Sequence, residues 1–159
     1  MNNPDRQRTF RYPLGRVKTL GFAGLLPQLI ALILIVDGGT WSWIALASSF
    51  AYAALIFSFL GGVWWGQALS KPDDAPGWAF AVAVLPSLIA LALFLPWTLG
   101  WPWPGPSLFW LGLLIAASPC IDRALALQDA SWMRLRWLLS LGLGGLTLII
   151  GLIDLAQRG

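Results

Sequence analysis

Histidine and glutamate are missing altogether, and cysteine occurs once, at Cys120. Zinc and haem sites need convergent His, Cys or carboxylate ligands, and a disulfide framework needs paired cysteines, so the chain is expected to hold no metal, no cofactor and no disulfide scaffold. Charge is scarce as well: Asp, Lys and Arg together make up 11% of the 159 residues. With 58% hydrophobic residues and a mean hydropathy of +0.73, so little polar surface cannot cover one small water-soluble core. The net charge of +3 and a pI near 9.6 would suit nucleic acid, but the cations gather at segment ends and line no basic face interleaved with aromatics, so no nucleic-acid partner is expected. No catalytic set of residues stands out, and the chain is not read as an enzyme.

What is abundant is uninterrupted apolar sequence. Trp41 to Leu69 carries no charge and is long enough, at about 1.5 Å per residue, to cross a hydrocarbon core of about 30 Å. Trp41 and Trp43 at one end, and Trp64 and Trp65 at the other, sit where indoles anchor in headgroups. Ala54, Ser58, Gly62 and Gly66 recur every fourth residue between them, a strip expected to face another helix in the bundle. The whole chain reads as an all-α integral membrane bundle of five transmembrane helices over about 19–36, 42–67, 78–96, 107–123 and 135–154. They form one membrane domain, 19–156, behind a basic segment, 1–18. That segment is followed by no small-residue cleavage site, so no cleaved signal peptide is expected. Arg6, Arg8, Arg11, Arg16, Lys18, Lys71, Arg123, Arg134 and Arg136 then fall on one side and only Arg158 on the other. The positive-inside rule puts the N-terminus in the cytoplasm and the C-terminus across a bacterial inner (cytoplasmic) membrane.

Several residues are candidates for more than span formation. Pro27 interrupts the first span beside Gln28, and Pro86 lies inside the third; each proline removes a helical hydrogen bond, and the three together are candidate kink or ligand sites. For Gln28 a hydrogen bond to a neighbouring helix is the simpler reading. Ala79, Ala83 and Ser87 repeat the four-residue small spacing in the third span, and Gly142, Gly144, Gly145 and Gly151 make the fifth glycine-rich. Asp73 and Asp74 are read as a solvated loop, and Cys120 as an inert buried thiol. Trp97, Trp101 and Trp103, interleaved with prolines, form an uncharged loop expected to lie on the membrane surface as an anchor, with partner docking as the alternative. Asp122, Arg123, Arg134 and Arg136 make a candidate cytoplasmic cluster for an anion or lipid headgroup, although orientation alone would place cations there.

Three segments in order, YAALIFSFLGGVWWG from Tyr52 to Gly66, AVLPSLIALALFLP from Ala83 to Pro96, and WMRLRWLLSLG from Trp132 to Gly142, carry a family resemblance. The chain resembles the domain of unknown function 3429, the transmembrane-protein-69-like family of small bacterial and mitochondrial inner-membrane proteins. That resemblance implies the five-helix fold and a membrane location and supplies no chemistry. KPDDAPGWAF, Lys71 to Phe80, is similar to a loop of the tryptophan-rich sensory (translocator) proteins. There the loop follows the first helix and here the second, so the porphyrin or sterol pocket it implies is a remote analogy.

Three functions follow as expectations. The favoured one is a non-catalytic accessory or assembly subunit packing among membrane lipids against a larger membrane complex. The alternatives are a binder or transporter of a small hydrophobic ligand, using the proline-broken helices, and a lipid-phosphate-handling enzyme using the cytoplasmic cluster.

Overall fold

The computed structural model describes residues 14–127 and 130–158. Arg6, Arg8 and Arg11 of the basic segment, the side chain of Arg16, and residues 128–129 lie outside what is described. A chain surrounded by hydrocarbon must satisfy its backbone within each segment, and the described residues accordingly form helices and no strand. They are α1 (Leu14–Ala23), α2 (Leu26–Asp37), α3 (Ser42–Ser70), α4 (Ala79–Thr98), α5 (Gly105–Leu125) and α6 (Ala130–Arg158). Five stretches are long and apolar enough to cross a membrane, the first running from Lys18 to Asp37 through both α1 and α2. The fold is the five-helix membrane bundle expected from the sequence.

The break in the first span shows what proline does there. Pro27 sits in the first turn of α2, where its missing N–H is harmless, so the chain ends one helix and starts another instead of bending a continuous one. The Gly24 carbonyl at the break accepts a hydrogen bond from the Tyr52 hydroxyl at 2.6 Å, which ties the break to α3. Pro86 and Pro96, by contrast, lie inside α4, and Pro119 inside α5.

Packing centres on two contacts. α5 and α6 approach backbone to backbone: a Cβ on Gly112 would lie 2.6 Å from the Leu148 amide nitrogen, one on Gly144 2.6 Å from that of Ala116, and one on Gly151 2.7 Å from that of Phe109. Lipid is as apolar as leucine, so such close approach, with the dispersion contacts it permits, holds membrane helices together. The second contact joins α3 to α4 at Gly61, whose Cβ position is filled by the Ala83 carbonyl and the Pro86 ring. The buried face of α3 therefore runs through Ala53, Phe57, Gly61, Trp64 and Ala68. This corrects the expected strip by one residue: Gly62 and Gly66 are exposed with nothing within 4 Å of a Cβ, while Ala54 and Ser58 are half-buried. On α4, Ala79 and Ala83 are buried as a packing face requires, and Ser87 is exposed.

The glycines of α6 supply an internal comparison. Gly144→Leu must push backbone from backbone and should lower stability by at least about 1–3 kcal/mol. Gly145→Leu, with nothing within 4 Å, should leave the unfolding midpoint in mild detergent near wild type. Equal midpoints for the two variants would show that the glycine contact does not hold α5 to α6.

Candidate functional site

A buried charged cluster lies about one turn inside the bundle end that carries Lys71. Asp122 on α5 is 1% exposed, and its carboxylate pairs with the Arg136 guanidinium of α6, Nε to Oδ2, at 2.8 Å. The Trp64 indole of α3 donates to its other oxygen at 2.9 Å. Arg136 also donates to Ser140 at 2.8 Å and to Ser118 at 3.3 Å, while Ser118 donates to the Ile115 carbonyl. One carboxylate and one guanidinium thus cancel in charge and bind three helices through directed bonds. A lone charge at that depth would cost several kcal/mol. Nearby, Lys71 donates to the Leu127 carbonyl at 3.0 Å, pinning the α3–α4 loop to the end of α5.

A neutral hub sits at mid-span. Gln28 of α2 has no exposed surface; its amide donates to Thr147 of α6 at 2.8 Å and to the Ser49 carbonyl of α3 at 3.2 Å, and its oxygen accepts from the Ser49 hydroxyl at 2.6 Å. Gln28 is interhelical glue, the simpler of the two readings.

At the opposite bundle end, Asp154 accepts from the Gly105 amide at 2.9 Å and pairs with Arg158 one turn on at 2.8 Å. Arg158 in turn donates to the Trp103 carbonyl at 2.7 Å. These bonds hold the Trp101–Gly105 segment against α6 and drop the Trp103 ring into the core. Trp103 is 5% exposed, packed edge-on against Phe50 and Trp43 and stacked on Trp97, with centroids 5.1, 5.9 and 5.6 Å away. It closes one end of an apolar groove of about 560 Å³ between α3 and α4. Its buried indole N–H has no hydrogen-bond partner among the described residues. Such an orphan donor costs on the order of 1–3 kcal/mol.

Several expectations change at this level. The tryptophan loop does not lie on the surface as a unit: Trp97 and Trp101 are exposed, but Trp103 belongs to the core, because Asp154 and Arg158 draw its backbone inward. Trp64 is no interfacial anchor, since Asp122 needs its N–H inside. The proposed anion cluster divides: Arg123 and Arg134 are exposed, whereas Arg136 is buried and committed to Asp122. Cys120 is exposed on the outer face of α5. Pro27 is exposed, and Pro86 is buried in the α3–α4 contact. Among the described residues no group of three or more His, Cys, Asp or Glu side chains converges. Sequence reasoning missed Ser49, Thr147, Ser118 and Ser140, whose only signal was a hydroxyl inside a span. It also missed the Asp154–Arg158 pair, which its four-residue spacing could have revealed.

These features define a multi-pass helical membrane protein whose interior is organised by paired charges and interhelical hydrogen bonds. The chain belongs to the family described as Protein of unknown function (DUF3429), whose model matches residues 15–153. It is similar to Transmembrane protein 69 of Xenopus tropicalis, 42% identical over 74 residues, which are 45% of this chain and 29% of that protein. The chain therefore aligns with less than a third of that relative's length. No solved structure matches it.

The buried ion pair makes a direct prediction. Asp122→Ala or Arg136→Leu alone leaves a charge unpaired and should cost about 3–5 kcal/mol. The double variant should recover much of that loss, read as unfolding midpoints in a double-mutant cycle. Additive losses would show that the two side chains act independently.

Proposed function

We propose that this protein is a non-catalytic accessory or assembly subunit of a larger complex in a bacterial inner membrane. The observation that carries this reading is the open glycine edge of α3. Gly62 and Gly66 lie on the helix that contacts most of the bundle, yet nothing among the described residues approaches their Cβ positions within 4 Å. A second chain's helix could come as near there as α6 comes to α5. The buried ionisable groups support the same reading, because Asp122, Arg136 and Asp154 are spent on holding helices together. Lys71, Arg123 and Arg134 at one bundle end are what a cytoplasmic face requires, which would put the N-terminus in the cytoplasm. A second role, binding a small hydrophobic molecule, is favoured by the groove that Trp103 closes.

The test is purification from native membranes in mild detergent, with mass spectrometry of co-purifying proteins. A stoichiometric membrane partner is expected, lost on Gly62→Leu or Gly66→Leu while the unfolding midpoint of the chain stays unchanged. Gly61→Leu should instead lower the midpoint, since its neighbour is the α4 backbone. A chain that purifies alone, or keeps its partner in both outer variants, overturns the proposal.

A further inference from the structure

The groove between α3 and α4 has a shape and a depth, and a donor left unmet beneath one of its lining rings, that together describe an occupant. Its floor is made of small side chains, Ala51, Ala54 and Ser58 on α3 with Ser87 and Ala90 on α4, so a narrow chain can lie against both helices. Among the described residues no charged side chain lines it. From Ser87 to the Trp97 level it follows α4 for ten residues, about 15 Å, which is half of a hydrocarbon core of about 30 Å and so the reach of one leaflet. The closed end lies where α4 finishes and the tryptophans gather, the depth at which the ester carbonyls of a lipid meet indole N–H groups. There the buried Trp103 N–H has no partner among the described residues. Elsewhere the interior treats indoles differently, as Trp64 donates to Asp122.

We infer that this groove holds one acyl chain of a membrane phospholipid, its ester carbonyl accepting a hydrogen bond from the Trp103 indole. The headgroup stays outside at the bundle end, and the chain lies along the small-residue floor. The Trp103 nitrogen has almost no open surface, so an adjoining ring must turn to admit the carbonyl. Trp43 and Trp97, each about half exposed and in contact with Trp103, are the neighbours with room to do so. The inference rests on the second role proposed above and is independent of any protein partner, because the Gly62–Gly66 edge lies beyond the groove toward the Lys71 end.

The test is native mass spectrometry of the purified, delipidated full chain titrated with diacyl phosphatidylglycerol, its dialkyl ether analogue and free palmitate. One diacyl lipid should bind per chain, about fivefold more tightly than the ether analogue, which keeps both chains but lacks the carbonyls. Trp103→Phe keeps an aromatic ring, though a smaller one, and loses the donor, so it should erase that preference. Ser87→Phe fills the groove and should weaken diacyl binding by about tenfold or more. Ala51→Phe, on the α3 side of the floor, does the same should the first variant not fold. Equal binding of ester and ether lipids to the wild type, unchanged binding to the filled-groove variants, or tighter binding of palmitate than of the diacyl lipid each overturns the inference.

Discussion

The backbone contact of α5 with α6 is the constraint on which the rest of the bundle depends. Apolar side chains gain nothing from leaving lipid for one another, so helices in a bilayer associate through close fit and directed polar bonds. Gly112, Gly144 and Gly151 bring the two backbones together, and that distance sets every polar bond between them. Asp122 reaches Arg136 near one end and the Gly105 amide reaches Asp154 near the other, so the pair is closed at both ends by charge-assisted bonds. A bulkier residue at the crossing would lengthen both closures at once.

α3 joins this pair by the same two devices. Trp64 inserts its N–H into the Asp122–Arg136 pair, and Ser49 meets the Gln28–Thr147 bond at mid-span. Polar groups that would be costly alone in hydrocarbon become the specific contacts that apolar packing cannot supply. Gln28 illustrates the point: one side chain satisfies both of its ends and joins α2, α3 and α6.

The outer helices are held more lightly, and there the molecule offers surface. α4 packs on α3 through Gly61 and Ala83 near one end, and toward the other the groove beneath Trp103 lies between the two helices. Asp154 and Arg158, far away in sequence, decide that Trp103 closes this groove, because they hold the backbone that carries it. The same α3 stripe floors the groove with Ala54 and Ser58 and then runs out into the open edge of Gly62 and Gly66. A tight core and an open flank are thus two halves of one design, in which α5 and α6 supply rigidity and α3 with α4 supply contact surface.

Span number, helical class and membrane residence were legible in the amino-acid sequence, because each depends on local quantities: run length, charge spacing and the demand that backbone bonds close within a segment. The family resemblance rested on short motifs and was legible too. The facing of each residue was not. A four-residue repeat drifts around a helix of 3.6 residues per turn, so the Ala54 to Gly66 stripe could be assigned a spacing but no direction, and Gly61 was found as the contact only once Ala83 stood opposite it. Likewise, a sequence shows that Asp122, Arg136 and Trp64 exist near span ends. Only the tertiary structure, by bringing three helix ends within hydrogen-bond reach, turned a set of boundary residues into one buried, neutral centre.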